Sequence, residues 1–432
     1  MASRKSYQLR EIKWGLFFAV LIGIGFALLL DNLHILGRNI PSSEIGADYF
    51  RGIFTVCILT PIIFLFPARS TEIVSLVMLW GIRSTITLGF MLYYEYTYGL
   101  DAYHYFAEAV SKVEFSHTFN QYDGTNNVIA IARFFAQNVP FLASYHALKV
   151  LWSFFGFVAC FVFYKAYTRS TGKSDIKVLW LIGLFPSILF WSSILGKDPI
   201  TFLGISLFFY GSLELFKRFS PLDVLIACTG LAMTGIIRVW LVVVFALPFL
   251  LLYLIRSNAK VASKAIIATC AAVLIGYFST DILSATQISD SGSFLDTLNT
   301  VSRSWSRGGS GQSVQHFAST QQAITFLPQG IFTALFRPLP GEVNNLFGAL
   351  SGLENLILLF GLMITFFMAS PEAKKDRFLQ YAAITIFCWS LFYAFISYQN
   401  LGTAVRFKLQ VLPLLLLVPI RLLHYSKKKG ST

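Results

Sequence analysis

Charge is scarce in this chain. Asp, Glu, Lys and Arg make up 13% of its 432 residues, about half the share of an ordinary soluble domain. Such a sequence cannot give a large soluble domain a hydrated surface. The five cysteines, Cys57, Cys160, Cys228, Cys270 and Cys388, all sit in apolar runs, which excludes a loop disulfide framework and a clustered metal site. There is no GxxxxGK[ST] loop to hold nucleotide phosphates and no HExxH zinc motif. A serine nucleophile elbow is missing too. The long polar segments lack DxD, which argues against a divalent-metal-dependent transferase while leaving a metal open. No Asn-x-Ser/Thr sequon occurs, consistent with a bacterial origin.

What remains is apolar: 56% of residues are hydrophobic and the mean hydropathy is +0.65. Runs of about 17–25 residues suffice to cross a bilayer as helix. They fall at 14–30, 52–67, 73–94, 147–167, 177–195, 199–216, 222–237, 239–255, 264–280, 346–368, 378–396 and 409–424. The expectation is an all-α, polytopic integral membrane protein with about twelve transmembrane helices. The first run, Trp14 to Leu30, has no small-residue cleavage site after it and reads as a span. The net charge of +13 follows from topology rather than nucleic-acid binding. Arg4, Lys5, Arg10 and Lys13 precede the first run and place the N-terminus inside. Every short inside loop then carries Lys or Arg, Lys427 to Lys429 end the chain on the same side, and acidic residues favour the outside. Both termini are predicted to be cytoplasmic, in a bacterial inner membrane.

The reading gives one multispanning domain over 1–432. Its polar mass lies in two large outer loops, 95–146 and 281–345, with a shorter segment at 31–51. In the first loop, DAYHYFAEAVSKV and NNVIAIARFFAQNV carry apolar residues at helical spacing. Both are expected as amphipathic helices on the outer leaflet. The second loop holds a glycine-rich tether from Arg307 to Ser313 and returns through the apolar ITFLPQGIFTALF and the turn RPLPGE.

Several charged residues then collect on the outer side or at the membrane edge: Lys197, Asp198, Arg238, Arg303, Arg307, Arg337, Glu342, Glu354, Arg406 and Lys408. Ionisable groups at membrane depth are costly and mark cavities or partners. Arginine pairs bidentately with phosphate and carboxylate, so a polyprenyl phosphate or pyrophosphate would supply the missing counter-charge. The bland readings are internal pairs, Arg337 with Glu342 or Arg238 with Glu354, and a helix start in which Asp198 caps, Pro199 follows and Lys197 snorkels. Arg83, within a run, has Glu72 or Glu95 as its candidate partner. Asp101 is the candidate general base, removing a proton from an acceptor hydroxyl. Its bland role is to cap the helix Ala102 to Val113. His104 is a second acid/base candidate or a polar interface residue. Tyr103, Tyr105 and Trp305 are candidates for stacking on sugar rings.

Four segments resemble the multispanning enzymes of bacterial surface-polysaccharide assembly, the O-antigen and exopolysaccharide polymerases, ligases and C-type polyprenyl-dependent glycosyltransferases. They are LDAYHYFAEA, FPSILFWSSILGKD, FRPLPGEVNNLFGALSGLEN and NLGTAVRFKLQVLPLL. The resemblance implies a membrane enzyme that takes a polyprenyl-linked sugar at the outer leaflet, with no other cofactor. Its implied partners are the lipid-linked saccharide, membrane lipids and other polysaccharide export proteins, and no nucleic acid. The competing expectations are a transporter or flippase for polysaccharide or lipid-linked saccharide, and a non-catalytic scaffold of an export complex. Against transport, no internal repeat is visible.

Overall fold

A computed structural model describes residues 32–111, 123–257, 259–285, 294–306 and 311–426. The first apolar run and Arg307 lie outside the described residues. Every regular element among those described is helical, and one isolated β-bridge joins Gly311 to Asn400. Each of the other eleven apolar runs is helical over most of its length. Among the described residues, five helical stretches are long and apolar enough to cross a membrane: Ile45–Leu65, Ser70–Thr97, Tyr145–Thr171, Leu346–Met368 and Arg377–Gln399. A sixth arises if Leu401–Lys408 and Leu412–Ser426, bent by 62° at their junction, are one span.

The helices are α1 (Leu33–Leu36), α2 (Ile45–Leu59), α3 (Ser70–Thr85), α4 (Met91–Thr97), α5 (Asp101–Val110), α6 (Gly124–Asn138), α7 (Tyr145–Thr171), α8 (Ile176–Leu184) and α9 (Pro186–Trp191). They continue as α10 (Lys197–Leu215), α11 (Pro221–Gly235), α12 (Trp240–Arg256), α13 (Val261–Ala285), α14 (Phe294–Trp305) and α15 (Thr320–Phe336). The last four are α16 (Leu346–Met368), α17 (Arg377–Gln399), α18 (Leu401–Lys408) and α19 (Leu412–Ser426).

The chain divides into two compact units. The first comprises 1–114, 131–154 and 193–195; the second comprises 115–130, 155–192 and 196–432. In the first, α3 and α4 are joined through a π-helical turn, Ile86–Phe90, so that Ser70–Thr97 runs on as one span. The turn leaves the Leu88 carbonyl to accept from the buried Tyr49 hydroxyl at 2.7 Å. Helix α5 buries Ala102, Tyr105, Phe106 and Ala109, one face of an amphipathic helix, with Phe106 edge-on to Tyr145. Val128, Ile129, Ala132 and Ala136 of α6 are buried as well. The amphipathic helices are therefore present, but their apolar faces are spent on protein rather than laid on a leaflet. A polar-and-apolar stripe shows that one face must be covered, not by what.

In the second unit α10 and α11 form the tightest hairpin. A Cβ on Gly204 would stand 2.8 Å from the Gly230 carbonyl, and one on Gly211 would stand 2.4 Å from the Asp223 carbonyl. Small residues let two backbones approach where lipid gives no hydrophobic drive for association. Gly330 of α15 meets Ala394 of α17 in the same way. The predicted span 177–195 is broken: α8 ends at Leu184 and Pro186, which has no N–H to donate, starts α9. Along α16 the side chains of Leu346, Leu350, Leu353, Ile357, Phe360 and Ile364 form an exposed apolar stripe. A stripe that long needs a non-aqueous neighbour, as in a membrane protein.

Candidate functional site

Most of the charged residues expected to act together lie in the second unit, and the fold gathers them. Gly196 caps α10, so Asp198 is its second helical residue and not its cap. The capping expectation for Asp198 is corrected by this geometry, because its carboxylate is taken by groups far away in sequence. Oδ1 accepts from Arg238 Nη2 at 2.8 Å, and Oδ2 accepts from Arg406 Nε. Asp198 is 3% exposed and Arg238 5%. Arg238 occupies the turn between α11 and α12, held by its own N–H on the Thr234 carbonyl at 2.8 Å. Its guanidinium lies 4.5 Å from the Phe407 ring centre, while that of Arg406 stands 5.9 Å from Trp191. Phe407 also receives the edge of Trp305, so Trp305 packs on this aromatic floor.

Lys197 is half-buried beside the pair. The charges that act on it are Arg238, Arg406, Asp123 and Asp198. Two arginines therefore hold one buried carboxylate, with Lys197 and Asp123 within electrostatic reach of them. Arg238 Nε is buried and has no acceptor among the described residues. An unmet donor on a buried guanidinium is costly and is the geometry in which an anion adds hydrogen bonds without displacing any.

Helix α18 supplies a second cation from the same turn. Lys408 is 2% exposed. Its Nζ donates to Asn355 Oδ1 at 2.6 Å and to the Arg337 carbonyl at 3.4 Å. Asn355 Nδ2 in turn donates to the Pro338 carbonyl at 2.8 Å. Glu354, the neighbour of Asn355, accepts from the Ser187 N–H at 2.9 Å and from the Ser187 hydroxyl. Arg238 thus pairs with Asp198, and the alternative pairing with Glu354 is not formed. The other internal pair does form: Arg337 Nε lies 2.8 Å from Glu342 Oε1, and the Leu339 N–H caps Oε2 at 2.7 Å. Partial burial pulls the Glu342 carboxyl up, but the Arg337 guanidinium and the Leu339 N–H outweigh it and hold the group below its ordinary value.

Three further candidates lie on α14 and α5. Arg303 is exposed in the last turn of α14. Asp101 and His104 are exposed on α5 in the first unit. Leu100 is the cap of α5, and Asp101 its first residue. Tyr105 is buried, and the Tyr103 hydroxyl donates to the Glu95 carbonyl at 2.7 Å. Arg83 donates to the Ser153 carbonyl and the Ser193 hydroxyl, whereas the Glu95 carboxylate takes Lys149 and Tyr145. Sequence reasoning missed Asp123, Ser187 and Asn355, and the whole set Asp48, Glu95, His146 and Lys149. Asn355 was signalled only by adjacency to Glu354. Asp48, Glu95, His146 and Lys149 stand at or near the edges of apolar runs, where a polar residue passes for a helix end.

No protein-family model, no curated protein and no solved structure matches this chain.

Proposed function

We propose that this chain is a membrane glycan polymerase or glycosyltransferase. It acts on polyprenyl-(pyro)phosphate-linked sugars at the outer face of a bacterial cytoplasmic membrane. The observation that carries the reading is the charge balance at Asp198: Arg238 and Arg406 hold its carboxylate, Lys197 stands within electrostatic reach, and Arg238 Nε has no acceptor among the described residues. A phosphate oxygen would meet that donor, and the excess cation would stabilise the charge growing on a phosphate leaving group. In this proposal Asp101 is the general base, and an acceptor hydroxyl attacks the anomeric carbon as its proton moves to that carboxylate. No metal has an assigned role.

A specific feature favours a second reading, transport or flipping of a lipid-linked saccharide. Two helical runs beside the site are broken, at Phe185–Pro186 and at the 62° bend between α18 and α19. Discontinuous helices commonly line transport sites.

Mass spectrometry of polyprenyl-linked saccharides, comparing a deletion strain with its complemented parent, tests both. Accumulation of complete single repeat units means polymerase or ligase. A lipid-linked glycan short by one sugar means a monosaccharide transferase. An unchanged lipid-linked pool overturns the enzyme reading. Uptake of labelled lipid-linked saccharide by proteoliposomes then decides for transport.

A further inference from the structure

The first unit contains buried charges that this function does not use. Asp48 of α2, Glu95 of α4, and His146 and Lys149 of α7 lie in stretches apolar enough to cross a membrane. All four are buried, the last three completely. Lys149 Nζ donates to both Glu95 oxygens, at 2.9 and 2.8 Å, and the Tyr145 hydroxyl adds a third bond at 2.8 Å. That pair is satisfied.

Asp48 caps the start of α7 from another helix. Its carboxylate accepts the Tyr145 and His146 N–H groups at 2.8 and 3.0 Å, and it meets His146 Nδ1 at 2.5 Å. Capping explains the carboxylate but not the imidazole. Because an ionised Asp48 can only accept, Nδ1 must carry the hydrogen. In a neutral ring Nε2 is then a bare lone pair. That nitrogen is buried and has no partner among the described residues. The ring cannot easily turn away. It sits edge-on to Tyr49 and Tyr145, and α2 approaches so closely that a Cβ on Gly52 would stand 2.7 Å from His146 Cβ.

The ionised groups facing His146 are Asp48 from α2, Glu95 from α4 and Lys149 from α7. The neutral phenols are Tyr49, Tyr145 and Tyr103, the last from α5 with its ring tilted against that of Tyr145. With neutral His146 this cluster carries one uncompensated negative charge. Arg83 is engaged two turns further along, at Ser153. One proton on His146 Nε2 would balance the cluster.

We propose that His146, oriented by Asp48, is a proton-binding site within the membrane-spanning part of the protein. The step is a simple association. Water delivers a proton to the Nε2 lone pair, an imidazolium forms, and the Nδ1–H bond to Asp48 persists. Proton relays built from His and carboxylates inside spans are a general use of such residues. This inference does not depend on the glycan reading.

The test is nitrogen-15 NMR of histidine-labelled full-length protein in lipid nanodiscs, titrated from about pH 8 to about pH 5. The His146→Gln variant identifies the signal. The expected result is an Nδ1–H tautomer at high pH that gains a second N–H on acidification. A matching loss of about one proton in the potentiometric titration of His146→Gln should accompany it. Asp48→Asn should weaken proton binding about tenfold or more. A His146 signal that stays neutral throughout, or that carries its hydrogen on Nε2 at high pH, would overturn the proposal. The wild type read against His146→Gln gives either answer, so a misfolded Asp48→Asn variant does not protect the idea.

Discussion

Asp198 Oδ1 lies 2.8 Å from Arg238 Nη2, and the two residues are 40 positions apart and nearly excluded from solvent. Arg406 reaches the other carboxylate oxygen, yet its side chain remains 24% exposed. The two arginines therefore differ in what they do. Arg238 is the buried member, whose loss leaves a carboxylate half-compensated. Arg406 stands at the edge, where water or a ligand can reach it.

That difference predicts separable effects. Arg238→Met should cost about 3 kcal/mol of stability, the scale for breaking a buried pair. Arg406→Gln should cost about 1 kcal/mol or less. It should weaken binding of a lipid-linked phosphate about tenfold, one charge-assisted hydrogen bond. Thermal unfolding in detergent and binding of polyprenyl phosphate in nanodiscs measure the two. Equal destabilisation with unchanged binding would reduce the cluster to scaffolding.

The α10–α11 hairpin makes a prediction of packing alone. A Cβ at Gly230 would stand 2.5 Å from the Gly204 carbonyl oxygen and 2.5 Å from the Phe208 nitrogen. Both are backbone atoms in helix and cannot retreat. Gly230→Ala should destabilise by about 1–3 kcal/mol through overpacking. Gly361→Ala opens onto free space in α16 and should gain up to about 1 kcal/mol of helix propensity. Because α10 carries Lys197 and Asp198, the Gly230 variant should also lower activity. Unfolding curves of the two variants side by side check the sign.

The helices of this protein were legible in its sequence because a membrane demands long apolar runs, and such runs announce themselves. The partners were legible only when close in sequence. Arg337 and Glu342, five residues apart, form the internal pair that stood as the alternative to phosphate binding. Asp198 followed by Pro199 looked like a helix cap, yet Arg238 and Arg406 claim its carboxylate. No periodicity encodes a contact across 40 or 208 positions. The network of Asp48, Glu95, His146 and Lys149 escaped for a related reason. His146 and Lys149 share α7, but Asp48 and Glu95 come from two other helices, and only packing puts the four together. The helices 101–113 and 126–139 were expected from their amphipathic pattern, but a pattern cannot tell a protein surface from a lipid one.

Asp376 makes a pH prediction outside the spans. It caps α17 by accepting the Leu379 N–H at 3.0 Å, and it also accepts from Arg421 Nε at 2.8 Å and the Tyr425 hydroxyl at 2.7 Å. Burial pushes its carboxyl up, but these donors outweigh it and hold the group below its ordinary value of 3.8. The stability it lends is thus fully present above that ordinary value and is lost as pH falls through the lower native one. Thermal stability of the wild type should drop steeply below about pH 4. Asp376→Asn keeps a cap acceptor but loses the charge. It should start lower at neutral pH and fall less on acidification. Parallel slopes would remove Asp376 from the acid response.

Asp101 supplies the sharpest separation between chemistry and structure. It is exposed, and Leu100, not Asp101, occupies the cap position of α5. Its replacement should therefore leave the fold nearly intact, within about 0.5 kcal/mol. A general base contributes about a hundredfold to ten-thousandfold in rate. Asp101→Asn should lower glycan transfer on that scale while the melting temperature stays put. Asp101→Glu keeps a carboxylate on a longer arm and should recover part of the rate. His104 is exposed one turn along the same helix. His104→Gln should cost less than tenfold if it only lines the interface, and as much as Asp101→Asn if it shares the proton. The assay is glycan transfer by variants brought to equal amounts in the membrane. Full activity in Asp101→Asn would take the proposed general base away from this helix, and the cations proposed to bind phosphate would then have to be tested with a different carboxylate as base.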